Sequence, residues 1–442
     1  MEKIIFNKSV IFFDRIIQRY TPEPFVLALF LTCILFILAI TLTETTPFQM
    51  IIYWGDGFWK LTTFTLQMVM ILMGGSVVAS SPFVNRLLSK IVVQLKSTGQ
   101  AVIVITMIAL IASWINWGFG LVIGALFCRK IASTMPSINF KLLVASSYSG
   151  FLIWHAGLSG SIPLLLATPD NFSEKLMGKI IPVNQTIFSI FNLTATFTVS
   201  IAVIILNYFI NKRTTEKKIK TNIDKGINHC ISKTVKLPIE HIENSRILSL
   251  FAFLLGASYV GYKIIQKSFI LDLNSINMIL IFLGIILHKN INNFIQSIIK
   301  ASKRVGPILL QFPFYAAIMN MMTSSGLSDL VSQFFINISS PKTFQLLVFY
   351  SAGLVNIFVP SGGGQWAIQA PIMIPVAQKL GLDTVKTAMA IAWGDAWTNM
   401  LQPFWALSIL AIAGLHLRDI MGHCISIFIV SGTVLSIFFL FF

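Results

Sequence analysis

The stretch from Asn356 to Pro371 places polar residues and glycines inside a long apolar tract, with Pro-Ser-Gly-Gly-Gly-Gln at positions 360–365. A helix crosses such a segment only at a cost, because proline removes a backbone donor and each glycine costs about 1 kcal/mol relative to alanine. Within hydrocarbon, non-helical backbone is tolerated only where protein or a water-filled cavity satisfies its polar groups. We therefore predict that this segment enters the membrane, breaks near Pro360 and lines a site. The alternative is a lipid-facing helix with a glycine kink.

A second break, Asn-Trp-Gly-Phe-Gly at positions 116–120, interrupts the apolar tract 100–128. Helices that begin at such breaks expose N–H groups and partial positive charge, which suit a carboxylate. Close helix packing is the alternative role for Gly118 and Gly120. The predicted substrate-binding residues are Asn116, Gly118, Gly120, His155, Ser159, Asn356, Ser361, Gly362, Gly363, Gly364 and Gln365.

Asp395 is the only acid in the apolar part of its predicted span, and Thr398 and Asn399 follow on the same helical face. An ionisable side chain at that depth is a functional candidate by default. These three residues are the predicted ion-coupling group, which could coordinate Na⁺ through oxygens or bind a proton; no other metal site is predicted. The alternative is a carboxyl group hydrogen-bonded for structure. His155 could carry a proton or donate to substrate, or it could be a satisfied histidine of the bundle core.

No Lys or Arg occurs in the tracts 142–168, 343–378 and 387–415. Two or three carboxylates would be hard to neutralise there, so one carboxylate with an apolar tail is favoured. The aromatic residues that could surround the tail are Trp117, Trp154, Trp366, Trp393, Trp397 and Phe404. The alternative for each is packing or anchoring at the membrane interface.

The composition predicts a polytopic all-α membrane protein. Of 442 residues, 55% are hydrophobic and 11% are charged, whereas soluble domains have about 25% charged residues. The net charge of +16 lies mostly in loops between apolar spans, which the positive-inside rule explains better than nucleic-acid binding. Four cysteines without C-x-x-C spacing indicate neither a disulfide framework nor a metal site.

Apolar runs and charged loops predict about nine transmembrane helices and two re-entrant hairpins, with the N-terminus in the cytoplasm. Residues 1–23 are predicted to form an interfacial segment, and residues 211–246 a basic cytoplasmic loop. The first membrane repeat is residues 24–210 with a hairpin at 100–128. The second is residues 247–442 with a hairpin at 343–378.

Shifting the chain by 240 positions aligns the two halves without a gap. Asn116 then falls on Asn356, and His155 falls on Asp395. In the predicted topology, the first hairpin opens to the cytoplasm and the second to the outside. The sequence therefore predicts inverted repeats, an arrangement of secondary transporters whose sites lie at the bilayer midplane between discontinuous helices.

Three motifs resemble those of a known family: Val-Pro-Ser-Gly-Gly-Gly-Gln-Trp-Ala at 359–367, Trp-Ile-Asn-Trp-Gly-Phe-Gly at 114–120 and Trp-Gly-Asp-Ala-Trp-Thr-Asn at 393–399. They are similar to the bacterial short-chain fatty acid transporter family, within the ion transporter superfamily. The resemblance implies uptake of monocarboxylates such as acetoacetate or butyrate across the cytoplasmic membrane by symport with H⁺ or Na⁺. It implies no other cofactor. It also implies a homodimer in which a transport domain moves against a scaffold.

Other functions remain as alternatives. A passive anion channel and a transporter for another small organic anion would use a similar site. An intramembrane protease is disfavoured, because the Gly-Leu-Ser-Gly run at 157–160 has no histidine base on another span and only one acid lies at depth. No Walker loop indicates ATP-driven transport. We expect a transporter and not an enzyme.

Overall fold

The computed structural model describes residues 24–213, 238–401 and 403–441, which contain helices and no strand. The predicted segment 1–23 and most of the predicted loop 211–246 lie outside these ranges. The first half contains α1 (Pro24–Leu42), α2 (Pro47–Gly57), α3 (Thr62–Ala79), α4 (Pro82–Gln94), α5 (Thr98–Ile115), α6 (Trp117–Thr134), α7 (Phe140–Tyr148), a 3₁₀ helix (Ser149–Ala156), α8 (Ser161–Ala167), α9 (Glu174–Met177) and α10 (Ile190–Arg213).

The second half repeats this order after one additional long helix. It contains α11 (Pro238–Glu243), α12 (Arg246–Ile265), α13 (Leu273–Leu287), α14 (Ile291–Ser302), α15 (Gly306–Ser324), α16 (Leu327–Ile338), α17 (Phe344–Phe358), α18 (Gly362–Lys379), α19 (Thr384–Thr398), α20 (Pro403–Ala413), a 3₁₀ helix (Leu417–Asp419) and α21 (Met421–Phe441).

Seven helical segments of the described ranges are long and apolar enough to cross a membrane, and α14 with α15 makes an eighth if this pair, bent by 53°, is one span. The chain is therefore a multi-pass membrane protein. Helix length alone does not test the predicted number of nine transmembrane helices. Helix α13 has only 15 residues, and α19 is separated from α20 by a break. The helix α5, which we assigned to a hairpin, is itself long enough to span.

Both apolar tracts break where their sequences predict. Asn116 ends α5 and caps α6, since its side chain accepts the N–H of Phe119 at 2.9 Å. Ser361 caps α18 in the same way, accepting the N–H of Gly364 at 3.3 Å. In each tract the second helix packs back on the first, so each tract forms a helical hairpin.

The two broken spans, residues 140–167 (α7, the 3₁₀ helix and α8) and residues 384–413 (α19 and α20), run antiparallel to each other. Lys141, at the start of α7, pairs with Asp419 at 2.6 Å. The hydroxyl of Tyr148 donates to the carbonyl of Asn399 at 2.7 Å. Farther along, His155 contacts Asp395. Residue numbers therefore increase along the first broken span in the direction in which they decrease along the second.

The helix caps show how the halves correspond. The caps Asn116 and Ser361 are 245 positions apart (361 − 116), and the caps Asn139 and Asp383 are 244 apart (383 − 139). Both spacings exceed the predicted shift of 240 by about one helical turn. A difference of that size preserves the polar face of a helix, because neighbours on one face are three or four positions apart.

Glycine contacts support the same correspondence. A Cβ on Gly150 would strike Ala109, and a Cβ on Gly394 would strike Ala352, with the backbone N of Gly353 at 3.1 Å. Gly394 lies 244 positions after Gly150, and Gly353 lies 244 positions after Ala109. His155 therefore corresponds to Asn399, and its contact with Asp395 joins residues that are not equivalent.

The halves also exchange packing partners. Helix α3 of the first half packs against α13 and α14 of the second half. Helix α15 of the second half packs against α1 and α2 of the first half. Gly74 lies directly against Leu280, and the rings of Phe25 and Phe314 are 4.9 Å apart. Each half thus completes its core with helices of the other, and the hairpins and broken spans meet between them.

Candidate functional site

His155 and Asp395 form a buried pair at the centre of the two broken spans. His155 lies in the last turn of the 3₁₀ helix that precedes the Gly-Leu-Ser-Gly break, and Asp395 lies in the last turn of α19. The histidine Nδ1 is 2.9 Å from the carboxylate Oδ2, and the two residues are 0% and 1% exposed. The sequence identified both residues as separate candidates, but their contact depends on tertiary structure.

Hydrogen bonds determine which histidine nitrogen carries the proton. The backbone N–H of Ile162 donates to Nε2 at 3.1 Å, so Nε2 is an acceptor. The ring hydrogen therefore lies on Nδ1 and is donated to Asp395. The hydroxyl of Ser161 is 3.0 Å from Nε2 and donates to the same lone pair. The ring of Trp154 stacks on the imidazole with centroids 4.2 Å apart, which fixes its orientation.

Asn356 connects the second hairpin to α19. The two hydrogens of its amide group are shared among three acceptors: the carbonyl of Asp395 at 3.0 Å, the hydroxyl of Thr398 at 2.9 Å and Oδ1 of Asn399 at 3.1 Å. The hydroxyl of Thr398 also bonds the carbonyl of Gly394. The predicted ion-coupling residues are thus held together. The described ranges contain no group of three or more His, Cys, Asp or Glu that could hold a metal.

A cleft with about 440 Å³ of empty space, its open mouth included, lies beside the histidine–aspartate pair. Its lining comes from both halves: Met68, Trp117, Phe151, Trp154, Ser161, Ile308, Gln311, Phe312, Pro360, Ser361, Gly362, Gly363 and Trp405. Ser161, Ser361 and the two glycines form a polar end. The rings of Trp117 and Trp405, with centroids 4.9 Å apart, contribute to the aromatic wall.

The N-terminus of α18 opens into this cleft. Among the described residues, no acceptor is bonded to the backbone N–H of Gly362 or Gly363. Glycine is required there for close approach: a Cβ on Gly362 would strike the ring of His155 and lie 2.6 Å from Oγ of Ser161, and one on Gly363 would strike the ring of Phe64. The arrangement can present two N–H donors to an anion.

The first helix break is not open in this way. Ser159 accepts the N–H of Trp117 at 2.8 Å, and the amide of Asn116 donates to the carbonyl of Ile71 at 3.3 Å. Gly118 lies against Leu72, and Gly120 lies against Ser113. Their contacts are those of close helix packing, the alternative that we considered for these glycines.

The remaining predicted substrate-binding residues also lie outside the cleft lining. Gln365 donates to the carbonyl of Ala352 and to Oε1 of Gln369, both at 2.8 Å. Gly364 packs against the ring of Tyr315. Of the predicted residues, Ser361, Gly362 and Gly363 line the cleft, and His155 lies directly behind it.

Only some of the predicted aromatic residues surround the cleft. Trp117 and Trp154 line it. The indole N–H groups of the other three tryptophans bond elsewhere: Trp366 to Ser173, Trp393 to Asn192 and Trp397 to the carbonyl of Phe428. The side chain of Phe404 lies outside the described residues.

Sequence reasoning missed several lining residues, namely Met68, Phe151, Ser161, Ile308, Gln311, Phe312 and Trp405. Ser161 carried a detectable signal, since it is the first residue of a helix directly after the glycine-rich break. The apolar members carried none, because they resemble any other residue of a membrane helix.

Comparisons with known proteins identify the class and the family. The fold resembles the YdaH transporter of Alcanivorax borkumensis, at a TM-score of 0.58 and 16% identity over 94% of this chain and 98% of that one. Two bacterial relatives, both provisionally described as short-chain fatty acid transporters, match nearly full length. That of Escherichia coli (strain K12) is 42% identical over 434 residues, 96% of this chain and 97% of that protein. That of Haemophilus influenzae (strain ATCC 51907 / DSM 11121 / KW20 / Rd) is 40% identical over 436 residues, with the same coverage.

These findings place the chain among multi-pass membrane transporters and not among enzymes. The family described as short chain fatty acid transporter matches residues 6–442. The chain belongs to the short-chain fatty acid transporter family.

Proposed function

We propose that the protein is a secondary active transporter that carries a short-chain monocarboxylate, such as acetoacetate or butyrate, across the bacterial cytoplasmic membrane by symport with H⁺ or Na⁺. One observation carries the proposal: a cleft between the two halves has a helix N-terminus at its polar end and tryptophans in its apolar wall. A carboxylate with a short apolar tail matches both parts.

The carboxylate would lie at the polar end. The N–H groups of Gly362 and Gly363 and the partial positive charge of the α18 N-terminus would bind it. Trp154 adds a further donor, because its indole N–H is buried without a partner among the described residues. No Lys or Arg lines the cleft, so a second carboxylate would enter without a countercharge.

The tail would contact the aromatic wall. Trp117 and Trp405 contribute to this wall together with Met68 and Phe312. Burying each methylene of a substrate is worth about 0.8 kcal/mol, so the wall favours a short chain over formate-sized anions.

Three packing features support alternating access through inverted repeats. The halves contain hairpins in the same order, their broken spans run antiparallel, and α3 and α15 exchange partners reciprocally. Such architecture suits a site that is exposed first to one side and then to the other. The homodimer, the cytoplasmic N-terminus and the domain boundaries belong to the same proposal.

The test is uptake of radiolabelled butyrate and acetoacetate into proteoliposomes, with a Na⁺ or a H⁺ gradient imposed separately. The uncharged acids cross lipid unaided, so uptake into protein-free liposomes is subtracted. We expect saturable, gradient-driven uptake and counterflow, in which internal unlabelled substrate accelerates entry of label. Uptake that neither saturates nor shows counterflow would indicate a channel. Uptake equal to that of protein-free liposomes would refute transport of these acids.

A further inference from the structure

We infer that Ser161 connects the substrate carboxylate to the His155–Asp395 pair, so that binding of one monocarboxylate draws one proton onto that pair. The inference rests on the proposed function, and it selects H⁺ as the coupling ion. It also gives Ser161 a role that the motifs did not indicate.

An unbroken series of contacts carries the inference. Ser161 lines the cleft and is 1% exposed. Its Oγ is 3.0 Å from Nε2 of His155, whose Nδ1 is 2.9 Å from Asp395. Gly362, at the polar end of the cleft, packs against both Ser161 and the imidazole. A carboxylate at the α18 N-terminus would therefore lie beside the serine hydroxyl.

The hydrogen bonds around His155 oppose protonation of its Nε2 atom. Two donors, the Ile162 N–H and the Ser161 hydroxyl, point at its single lone pair. A proton added there would leave both donors without their acceptor, and buried unsatisfied donors are costly. The hydrogen bonds are therefore those of the proton-free pair, in which a neutral histidine donates to the Asp395 carboxylate.

A carboxylate in the cleft removes part of this cost. The Ser161 hydroxyl can turn and donate to the carboxylate, and its oxygen then accepts from a protonated Nε2. One hydronium ion that enters the cleft transfers its proton to Nε2. One O–H bond of hydronium breaks, one N–H bond forms, a water molecule is left, and His155 becomes a cation between Asp395 and the substrate. The Ile162 N–H loses its acceptor in either case, but without substrate the Ser161 hydroxyl loses its acceptor as well, so protonation of the empty site costs more.

Charge favours the same coupling. The empty site holds one negative charge on Asp395, which repels a carboxylate; protonation of His155 cancels it. A coupling of this kind between two ligands is typically 5- to 150-fold. With substrate and proton both bound, the site again carries one negative charge, so the empty and loaded forms that must reorient have equal charge.

Other titratable groups do not replace this pair. Among the described residues, Asp395 is the only titratable residue hydrogen-bonded to His155. The other described titratable side chains on the helices packed against the 3₁₀ helix are Cys128, Arg129, Lys130, Lys141, Tyr148, Tyr208, Lys212 and Lys386. None of these is hydrogen-bonded to His155.

The experiment is calorimetric titration of butyrate into the purified full chain, repeated in buffers with different ionisation enthalpies, which yields the number of protons taken up per butyrate bound. At alkaline pH we expect the wild type to approach about one proton per butyrate. Asp395→Asn should bind butyrate without proton uptake and with an affinity that no longer depends on pH. Ser161→Ala should bind roughly tenfold more weakly, for loss of a hydrogen bond to a charged group, and take up less than half as many protons.

Two further variants separate a coupling role from a structural one. Ser161→Thr keeps the hydroxyl and should recover most of the proton uptake. Ser431→Ala is the matched control, because Ser431 is a fully buried serine whose hydroxyl bonds only its own helix, and it should behave as wild type. Size-exclusion profiles would establish that each variant is folded.

The possible failures differ in meaning. Butyrate binding by the wild type without proton uptake would overturn the inference and leave the proposed function intact. Proton uptake and affinity unchanged in Ser161→Ala would also overturn it. Absence of butyrate binding in the folded wild type would refute the proposed function, and the inference with it.

Discussion

The two helix breaks, at Asn116 and at Ser361, show how equivalent parts of one fold acquire different roles. At the first break, Asn116 and Ser159 satisfy the exposed N–H groups of Phe119 and Trp117. At the second, only the N–H of Gly364 is satisfied by a side chain, and the glycines face a cleft. Among the described residues, only the Gly118 N–H at the first break has no acceptor, and Gly118 packs against Leu72. The first break is therefore closed mainly by the protein, whereas the second leaves the N–H groups of Gly362 and Gly363 available for an anion.

The same difference between the two breaks gives the cleft one polar end and one apolar end. At a displacement of 244, Trp117 is paired with Ser361 and Ser161 with Trp405, although the caps of the two breaks, Asn116 and Ser361, are themselves 245 positions apart. All four residues line the cleft. The two tryptophans contact each other, and Ser161 lies beside Gly362, the neighbour of Ser361. Each of these pairs supplies one serine and one tryptophan, so the cleft has a polar end and an apolar end.

The largest expected effect comes from adding a methyl group at the second break, where Gly362 and Gly363 line the cleft. Gly362→Ala would drive a Cβ into His155 and Ser161, and overpacking of this kind costs about 1–3 kcal/mol, or roughly 5- to 150-fold if all of it appears in affinity. At the closed break, Gly118→Ala meets its nearest atom, the carbonyl oxygen of Leu72, at 3.1 Å and should reduce transport much less. Butyrate counterflow compares the two variants. Equal losses would contradict the assignment of the site to the second break.

Serine-to-alanine changes should separate stability from binding. Ser159→Ala leaves the buried N–H of Trp117 unsatisfied, at a cost of about 1–3 kcal/mol, with little change in butyrate affinity. Ser361→Ala removes a helix cap worth about 1 kcal/mol and should weaken butyrate binding as well. Thermal unfolding in detergent and calorimetric affinity measure the two effects. A larger loss of affinity in Ser159→Ala would reverse the roles that we give to the two breaks.

Chain-length preference should depend on the aromatic wall. Trp405→Leu enlarges the apolar end and should shift the preference from butyrate toward hexanoate, by up to about fourfold for each methylene accommodated. Competition of unlabelled acids against labelled butyrate measures the preference. Trp397→Leu is the control, because its indole bonds the carbonyl of Phe428 and lies outside the cleft lining. An identical preference in both variants would remove Trp405 from the tail site.

The smallest effect is expected at the ion pair between Lys141 and Asp419. Partial burial would raise the pKa of the Asp419 carboxyl, but the hydrogen bonds from Lys141 and His416 and the charges of Lys141 and Arg418 together hold that pKa below its usual value of 3.8. Stability from the pair is therefore present above that pH and is lost as the pH falls below it. Because the side chain of Lys141 is 41% exposed, Asp419→Asn should cost at most about 1 kcal/mol.

Thermal unfolding at neutral pH and below pH 3.8 tests this last prediction. The difference between wild type and Asp419→Asn should disappear at the lower pH. A difference that persists there would show that Asp419 acts by packing and not by its charge.

The sequence alone was sufficient for the class, the family and the positions of both breaks. Pro360 with three glycines, and Asn116 with its two, end a helix for local reasons of backbone chemistry, which no distant contact can reverse cheaply. The absence of Lys and Arg from the tracts 142–168, 343–378 and 387–415 likewise limited the predicted substrate to one carboxylate before any fold was known. Asp395 and His155 were identifiable because ionisable side chains are rare in apolar tracts.

Tertiary structure alone decided how these pieces meet. The correspondence of the halves at 244 positions and the contact of His155 with Asp395 depend on packing between helices far apart in the chain. So do the inclusion of Ser161 and Trp405 in one cleft and the closure of the first break by Ser159. In a membrane, most helix surfaces are apolar whether they face lipid or protein, so hydrophobic patterning does not specify which faces touch. Those choices are made by the fit of small residues such as Gly150 and Gly394 against neighbouring helices.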